Sequence, residues 1–179
     1  MTIPEPDTRF EVRPFATADG GAVREVIADA FGQEREARLV HRLRHCGALV
    51  KELVAVNTAD RVIGSICFSR VTAAAAGQSH ALSIVCLAPV SVLPDYRRLG
   101  IGAALVRTGL EALREHGEDL VLVLGSPAYF GRFGFDPELA KKVKGPYAGK
   151  AFMALALSDA GSLDLPVEVA FATPFEEFE

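Results

Sequence analysis

The sequence predicts a single α/β domain, of the α+β kind: a mixed, mostly antiparallel sheet with flanking helices and one parallel crossover. Three observations predict it. The apolar period is helical up to Gly47, extended after it, and helical again from Gly100. Two nearly continuous apolar runs, "ALSIVCLAPVSVL" (81–93) and "DLVLVLG" (119–125), have the composition of central strands covered on both faces. The clearest helix lies between those runs, and a helical crossover between neighbouring strands makes them parallel. The predicted order is β-α-α-β-β-β-α-β-α-β-β.

Residues 1–9, with Pro4, Pro6 and no apolar run, read as a flexible N-terminal arm, so that the folded domain spans 10–179. "FEVRPF" (10–15) alternates as a first strand does. From Asp19 to Phe31, Val23, Ile27, Ala30 and Phe31 recur at three-and-four spacing and predict an amphipathic helix. "EREARLVHRLRHCG" repeats the pattern with Ala37, Leu39, Val40 and Leu43, and Gly47 stops it. "KELVAVNTADRVIGSICFSRV" reads as strand, polar turn at Asn57–Asp60, strand. "TAAAAGQSH" reads as a loop or a wide hairpin end. Residues 100–116 carry the stripe Ile101, Leu105, Thr108 or Gly109, and Leu113. "SPAYFGRFG" is a short helix or turn with Pro127 in its first turn. "KAFMALALS" (150–158) and "VEVAFAT" (167–173) are the closing strands.

Composition narrows the function. The 179 residues are 50% hydrophobic and 23% charged, which suits a packed core rather than disorder. The net charge of -4 argues against broad attraction to nucleic acid or to an anionic membrane. No leader pattern is present, and the best apolar run is broken by Pro89, so a cytoplasmic protein that does not span a membrane is expected. The 3 cysteines, Cys46, Cys67 and Cys86, have no C-x-x-C spacing and read as buried, reduced, small apolar side chains. Nothing completes a metal site around His45 and Cys46, and no metal is expected.

The stretch "LPDYRRLGIGAALV" (93–106) carries the chemistry. A helix that begins after a loop of free amides is an anion site, because its first N–H groups lack intrahelical partners and its dipole adds positive charge. Gly100 and Gly102 let a ligand approach the backbone and tolerate positive φ. Arg97 and Arg98 add charge. The ligand that needs all of this is a phosphate, above all a diphosphate. A dinucleotide fingerprint would need a third glycine and no gap after the strand, and a P-loop would need a Gly-Lys-Ser/Thr end. Both are absent.

"VLPDYRRLGIGAALV" resembles the acetyl-CoA signature of the GNAT superfamily of N-acetyltransferases: Arg97, Gly100 and Gly102 fall on it after Val92-Leu93-Pro94. "SPAYFGRFGFDP" and "GKAFMALAL" are similar to the later elements of the YhbS-like bacterial branch. The resemblance implies a GNAT-like fold in which strands 81–93 and 119–125 are parallel and splay apart. It implies acetyl-CoA as cosubstrate. Backbone at Val90, Ser91 and Val92 would hold the pantetheine arm, and amides of Arg97, Arg98, Leu99, Gly100, Ile101, Gly102 and Ala103 the diphosphate. An amide near Val92 would face the developing oxyanion. The acid that protonates the departing thiolate is often a tyrosine four residues before the Gly-Phe pair. That position is Phe130 here, with Tyr129 one residue earlier as the substitute, and both would border the cofactor.

The base is less defined. Glu36 is the candidate, with Glu34 beside it, although acids at a helix start also suit the dipole. His41 and His45 share a helical face, and His80 sits at a strand start. His116 reads as a helix-end cation and Asp95 as a turn former. Arg132 and the run Lys141–Lys144 could meet phosphates or face solvent. The predicted function is acyl transfer from acetyl-CoA to a primary amine of a small molecule or protein, by direct attack in a ternary complex. The alternative is a CoA-binding sensor or partner module with reduced catalysis. Dimerisation through the C-terminal strands is compatible with the sheet, though no residue demands it.

Overall fold

The computed structural model describes residues 7–74 and 82–178. In chain order it contains β1 (Phe10–Pro14), α1 (Gly20–Phe31), α2 (Arg35–His45), β2 (Leu49–Asn57), β3 (Val62–Ala74), β4 (Ile84–Val92), α3 (Ile101–His116), β5 (Leu120–Leu124), α4 (Pro127–Phe130), α5 (Pro137–Ala140), β6 (Val143–Lys144), β7 (Phe152–Ala156), α6 (Ala160–Leu163) and β8 (Val167–Ala170). The main sheet runs β1-β2-β3-β4-β5-β7. Each of its neighbouring pairs is antiparallel except β4 with β5, the strands joined by the α3 crossover. The mixed, mostly antiparallel sheet is therefore present as the apolar runs predicted.

Helices cover both faces. On one, Ile101 and Leu105 of α3 press on Gly64 of β3, and Gly109 sits against the Phe68 ring. A Cβ at Gly109 would lie 2.5 Å from that ring, so glycine sets how closely helix and sheet approach. On the other face Leu39 and Leu43 of α2 pack with Val71, Ile84 and Cys86. Helix α1 buries Val23, Val26 and Ile27 and packs on β3, β4 and α2.

The elements depart from the sequence reading in two places. Thr72–Ala74, expected in a loop, extend β3 and pair with β8, because an extended alanine run can close a ladder as readily as a turn. Residues 75–81, with His80, and residues 1–6 of the expected arm lie outside the described residues. The two central strands are shorter than their apolar runs, 84–92 and 120–124. The closing strands do not lie side by side: β7 joins β5, whereas β8 pairs with β3 and with the two-residue β6.

One polar cluster is buried where the crossover re-enters the sheet. Glu118, between α3 and β5, is 2% exposed and accepts from Arg70 of β3 at 2.6 and 2.7 Å. Burial pushes its carboxyl up, but Arg70, Ser83 and His116 more than offset that and hold it below the usual range. His116 lies 3.1 Å from Glu118 through Nδ1, the structural role its place at the helix end suggested.

Candidate active site

The site begins where β4 and β5 part. Their parallel pairing runs from Ile84↔Leu120 to Leu87↔Val123 and ends there. Two features of β4 end it. Pro89 has no amide to give a neighbour. Between Leu87 and Val90, β4 also carries one residue more than β3 carries between Phe68 and Ile66, a bulge. Past the bulge β4 continues to Val92, while β5 stops at Leu124.

The free edge of β4 follows from its register. Leu93 N–H donates to the Ile63 carbonyl at 2.9 Å, so Leu93 and, by alternation, Ser91 turn their backbone toward β3. Val90 and Val92 then present N–H and C=O to the side that β5 has left. Both are half-buried, and both line a cleft of about 520 Å³. Ser91 also lines it. Its hydroxyl is buried and has no protein partner.

The cradle forms the cleft's other wall. Arg98 has φ 66 and Gly100 φ 82, two left-handed residues in three, the backbone type from which anion-binding nests are built. At Arg98, which carries a Cβ, that conformation costs about 1 kcal/mol. Gly102 differs from the sequence expectation. It lies in the first turn of α3 with ordinary helical backbone, and its value is room. A Cβ there would meet the Tyr129 hydroxyl at 2.8 Å and Val92 Cγ2 at 3.8 Å. No side chain caps α3, which leaves its first amides to the cleft.

The cationic side chains divide their work. Arg97 donates from Nη2 to the Ala30 carbonyl at 2.8 Å, tying the cradle to the last turn of α1. Arg132 lines the cleft, with its guanidinium 4.7 Å from the Tyr129 ring centre. Lys141 pairs with Glu138 at 2.8 Å, and the Lys141–Lys144 run does not line the cleft.

Tyr129 and Phe130 point different ways. Helix α4 starts at Pro127, which aims Tyr129 into the cleft and its hydroxyl at Gly102. Burial pushes its phenol up, with Arg132 and Arg107 opposing, so it is protonated at neutral pH. Phe130, expected beside the cofactor, is instead buried against Gly125 and Phe135 and faces a second cavity across the gap. Leu99, also expected at the cofactor, is 36% exposed and not among the cleft's lining. Glu36 lines the second cavity. Glu34 binds Arg24 at 3.2 Å, and His41 and His45 stack on each other on α2 away from both spaces. Asp95 is exposed beyond the cradle.

The second cavity, about 510 Å³, is what sequence reasoning missed. Phe31 and Val90 line both spaces, so the two adjoin at the gap between β4 and β5. Cys86 also lines it, and burial pushes its thiol up to about 12. Cys67 is buried and its thiol is likewise raised. Neither is a thiolate nucleophile at neutral pH. Among the described residues no cluster of three metal-ligating side chains occurs.

A sheet whose parallel strands part beside a glycine-rich helix start is the arrangement that the resemblance to acyl-CoA-dependent transferases implies. Residues 11–137 match the acetyltransferase (GNAT) domain, and the chain belongs to that family. It is similar to the uncharacterized N-acetyltransferase YhbS of Escherichia coli K12, 38% identical over 118 residues that make up 66% of this chain and 68% of YhbS. YjhQ of the same organism is 37% identical over 121 residues, 67% of this chain and 66% of YjhQ. Among solved structures, E. coli YhbS in complex with CoA superposes with a TM-score of 0.87 at 31% identity, covering 99% of this chain and 98% of that one. A GNAT acetyltransferase from Brucella melitensis in complex with acetyl-CoA gives a TM-score of 0.76 at 30% identity, covering 94% and 99%. Among the described residues no helix is long and apolar enough to cross a membrane.

Proposed function

We propose that the protein transfers the acetyl group of acetyl-CoA to a primary amine by direct attack in a ternary complex. One observation carries this reading. The free edge of Val90 and Val92, the nest at Arg98–Gly100 and the open first turn of α3 line one continuous cleft. That surface suits an extended amide-bearing arm ending in a diphosphate. Room at Gly102 and the partnerless Ser91 hydroxyl fit the same ligand.

The cofactor supplies a thioester, an acyl group already activated toward an amine. The chain's own residues do the rest. Val90 and Val92 hold the arm by strand-like hydrogen bonds. The Val92 amide donates to the carbonyl oxygen where negative charge develops. Tyr129, protonated and in the cleft, is the donor for the departing sulfur. An amine arrives as an ammonium and must lose a proton first. Glu36, in the lining of the adjoining cavity, is the acceptor for it, directly or through water. The raised thiols of Cys67 and Cys86 favour direct transfer over an acyl-cysteine route. The 3 cysteines suit the reducing cytoplasm, where we place the reaction.

Calorimetric titration with acetyl-CoA, with NAD as control, tests the cleft. Thiol release in the presence of amines tests turnover. Acetyl-CoA binding without NAD binding, followed by amine-dependent thiol release, is expected. A folded sample that binds no acetyl-CoA would overturn the reading.

A further inference from the structure

We infer that the acceptor is a primary monoamine carried on an aromatic or aliphatic body, received by the second cavity with Glu36 as its charge partner. This rests on the acetyl-transfer reading above and names the substrate class of the same site.

The cavity is built from aromatic rings. Tyr147, Phe171 and Phe175 stack edge to face, with centroids 4.8 and 5.8 Å apart. Phe152, Phe178 and Phe130 add three more rings to the lining. The Tyr147 hydroxyl is turned away from ligand duty, donating to the Phe175 carbonyl at 3.2 Å. Phe31 and Leu124 line the cavity although they are 43% and 54% exposed. Large apolar side chains that remain this exposed at a cavity mouth gain free energy when a ligand covers them.

Among the described residues Glu36 is the sole charged one of the lining. Its neighbour is the neutral Gln33, whose amide spans both carboxylate oxygens at 2.9 and 3.1 Å. No cation pairs with it among the described residues; Arg35 stacks on Phe178 at 4.1 Å without lining the cavity. One carboxylate amid rings matches one ammonium, which the ring faces also attract. A polyamine or aminosugar would bring charges and hydroxyls that these walls leave unpaired. Continuity decides the ligand's direction. The cavity borders the gap along Leu87–Val90 and Val123–Leu124 and shares Val90 and Phe31 with the cleft, so an amine at that border lies toward the acyl carbon while the body stays among the rings.

The test uses the full chain saturated with CoA, a complex that cannot turn over. Phenethylamine, hexylamine, spermidine and 2-phenylethanol are titrated into it by calorimetry. Phenethylamine and hexylamine should bind at least about tenfold tighter than spermidine or the uncharged alcohol. Leu124→Asn should weaken phenethylamine about tenfold and leave CoA affinity unchanged. Glu36→Gln should remove the preference of phenethylamine over 2-phenylethanol. Thiol release from acetyl-CoA should rank the amines in the same order. Preference for spermidine, or no amine binding to a complex that does hold CoA, overturns the inference and leaves the transferase reading standing. Tighter binding of octanoyl-CoA than acetyl-CoA, lost in Leu124→Asn, would make the cavity an acyl-chain pocket and also overturn it. Failure to bind CoA at all would instead refute the transferase reading.

Discussion

Replacing Gly102 with valine should abolish tight CoA binding while leaving the fold in place. The stability side is small. Gly102 has helical backbone and borders an open cleft, so the substitution meets no strained φ and gains a few tenths of a kcal/mol in helix propensity, roughly. Its first carbon would sit 2.8 Å from the Tyr129 hydroxyl, the end of a side chain that can swing into the cleft. The binding side is large. Two methyl groups over the first turn of α3 would keep a diphosphate from the amides of Ile101–Ala103. Losing about two charge-assisted hydrogen bonds at ~1.5 kcal/mol each comes to about 3 kcal/mol, or roughly a hundredfold in Kd. Calorimetry with CoA measures the loss, and a melting curve checks the fold. A control separates the two contacts. Gly102→Ala combined with Tyr129→Phe removes the 2.8 Å clash and leaves the nearest ring carbon at 4.0 Å, so this pair should bind CoA better than Gly102→Ala alone. Gly102→Val with unchanged Kd and a normal melt would refute the cradle.

Three further outcomes are expected. Tyr129→Phe should lower kcat about tenfold with little change in CoA Kd, since a thiolate of pKa ~8.5 leaves slowly but not prohibitively without an acid; an undiminished kcat removes the hydroxyl from the mechanism. Arg70→Gln should cost about 3 kcal/mol in urea unfolding by leaving Glu118 buried without its cation. Because the folded-state pKa of Glu118 is depressed, its contribution is complete above the ordinary carboxylate range and fades as pH falls toward the folded value; the variant's stability should fall less steeply over that acid limb. Gly161→Ala should destabilise by about 2 kcal/mol, because a Cβ would lie 2.0 Å from the Asp119 carbonyl, an atom already held by the Leu157 amide at 2.8 Å; thermal melting reads it.

The cradle was legible because its physics is local. Two glycines, two arginines and a helix start lie within a few residues, and they have the same meaning in any fold. The gap was legible only through resemblance, since a strand's end depends on its neighbour. Pro89 was visible as a break in an apolar run, yet the bulge beside it exists only in the pairing of β4 with β3. Tyr129 and Phe130 turned on one residue of helix phase: α4 beginning at Pro127 puts the hydroxyl in the cleft and the phenyl ring in the core. The aromatic cavity was not legible. Phe31, Glu36, Leu124, Tyr147 and Phe175 come from five separate elements or loops, and alone each reads as core or surface. The usable signal was the density of phenylalanine after residue 150, more than two short closing strands need. The two-residue β6, which places β8 apart from β7, carries no periodicity to detect.

The break between β4 and β5 links these features energetically. A central strand that loses its neighbour leaves backbone groups unpaired, at about 1–3 kcal/mol for each one kept from water. At Val90 and Val92 that cost is limited because the gap is open and both residues are half-buried. A ligand that lies along this edge regains strand hydrogen bonds that solvent makes less well. The cleft proposed for CoA and the aromatic cavity both border this opening and share Val90 and Phe31. Closing the gap with a longer β5 would satisfy the edge and stabilise the sheet, yet it would separate donor from acceptor. The proposed transfer at this gap therefore accounts for the shortness of β5 and the proline of β4 better than the sheet's own stability does.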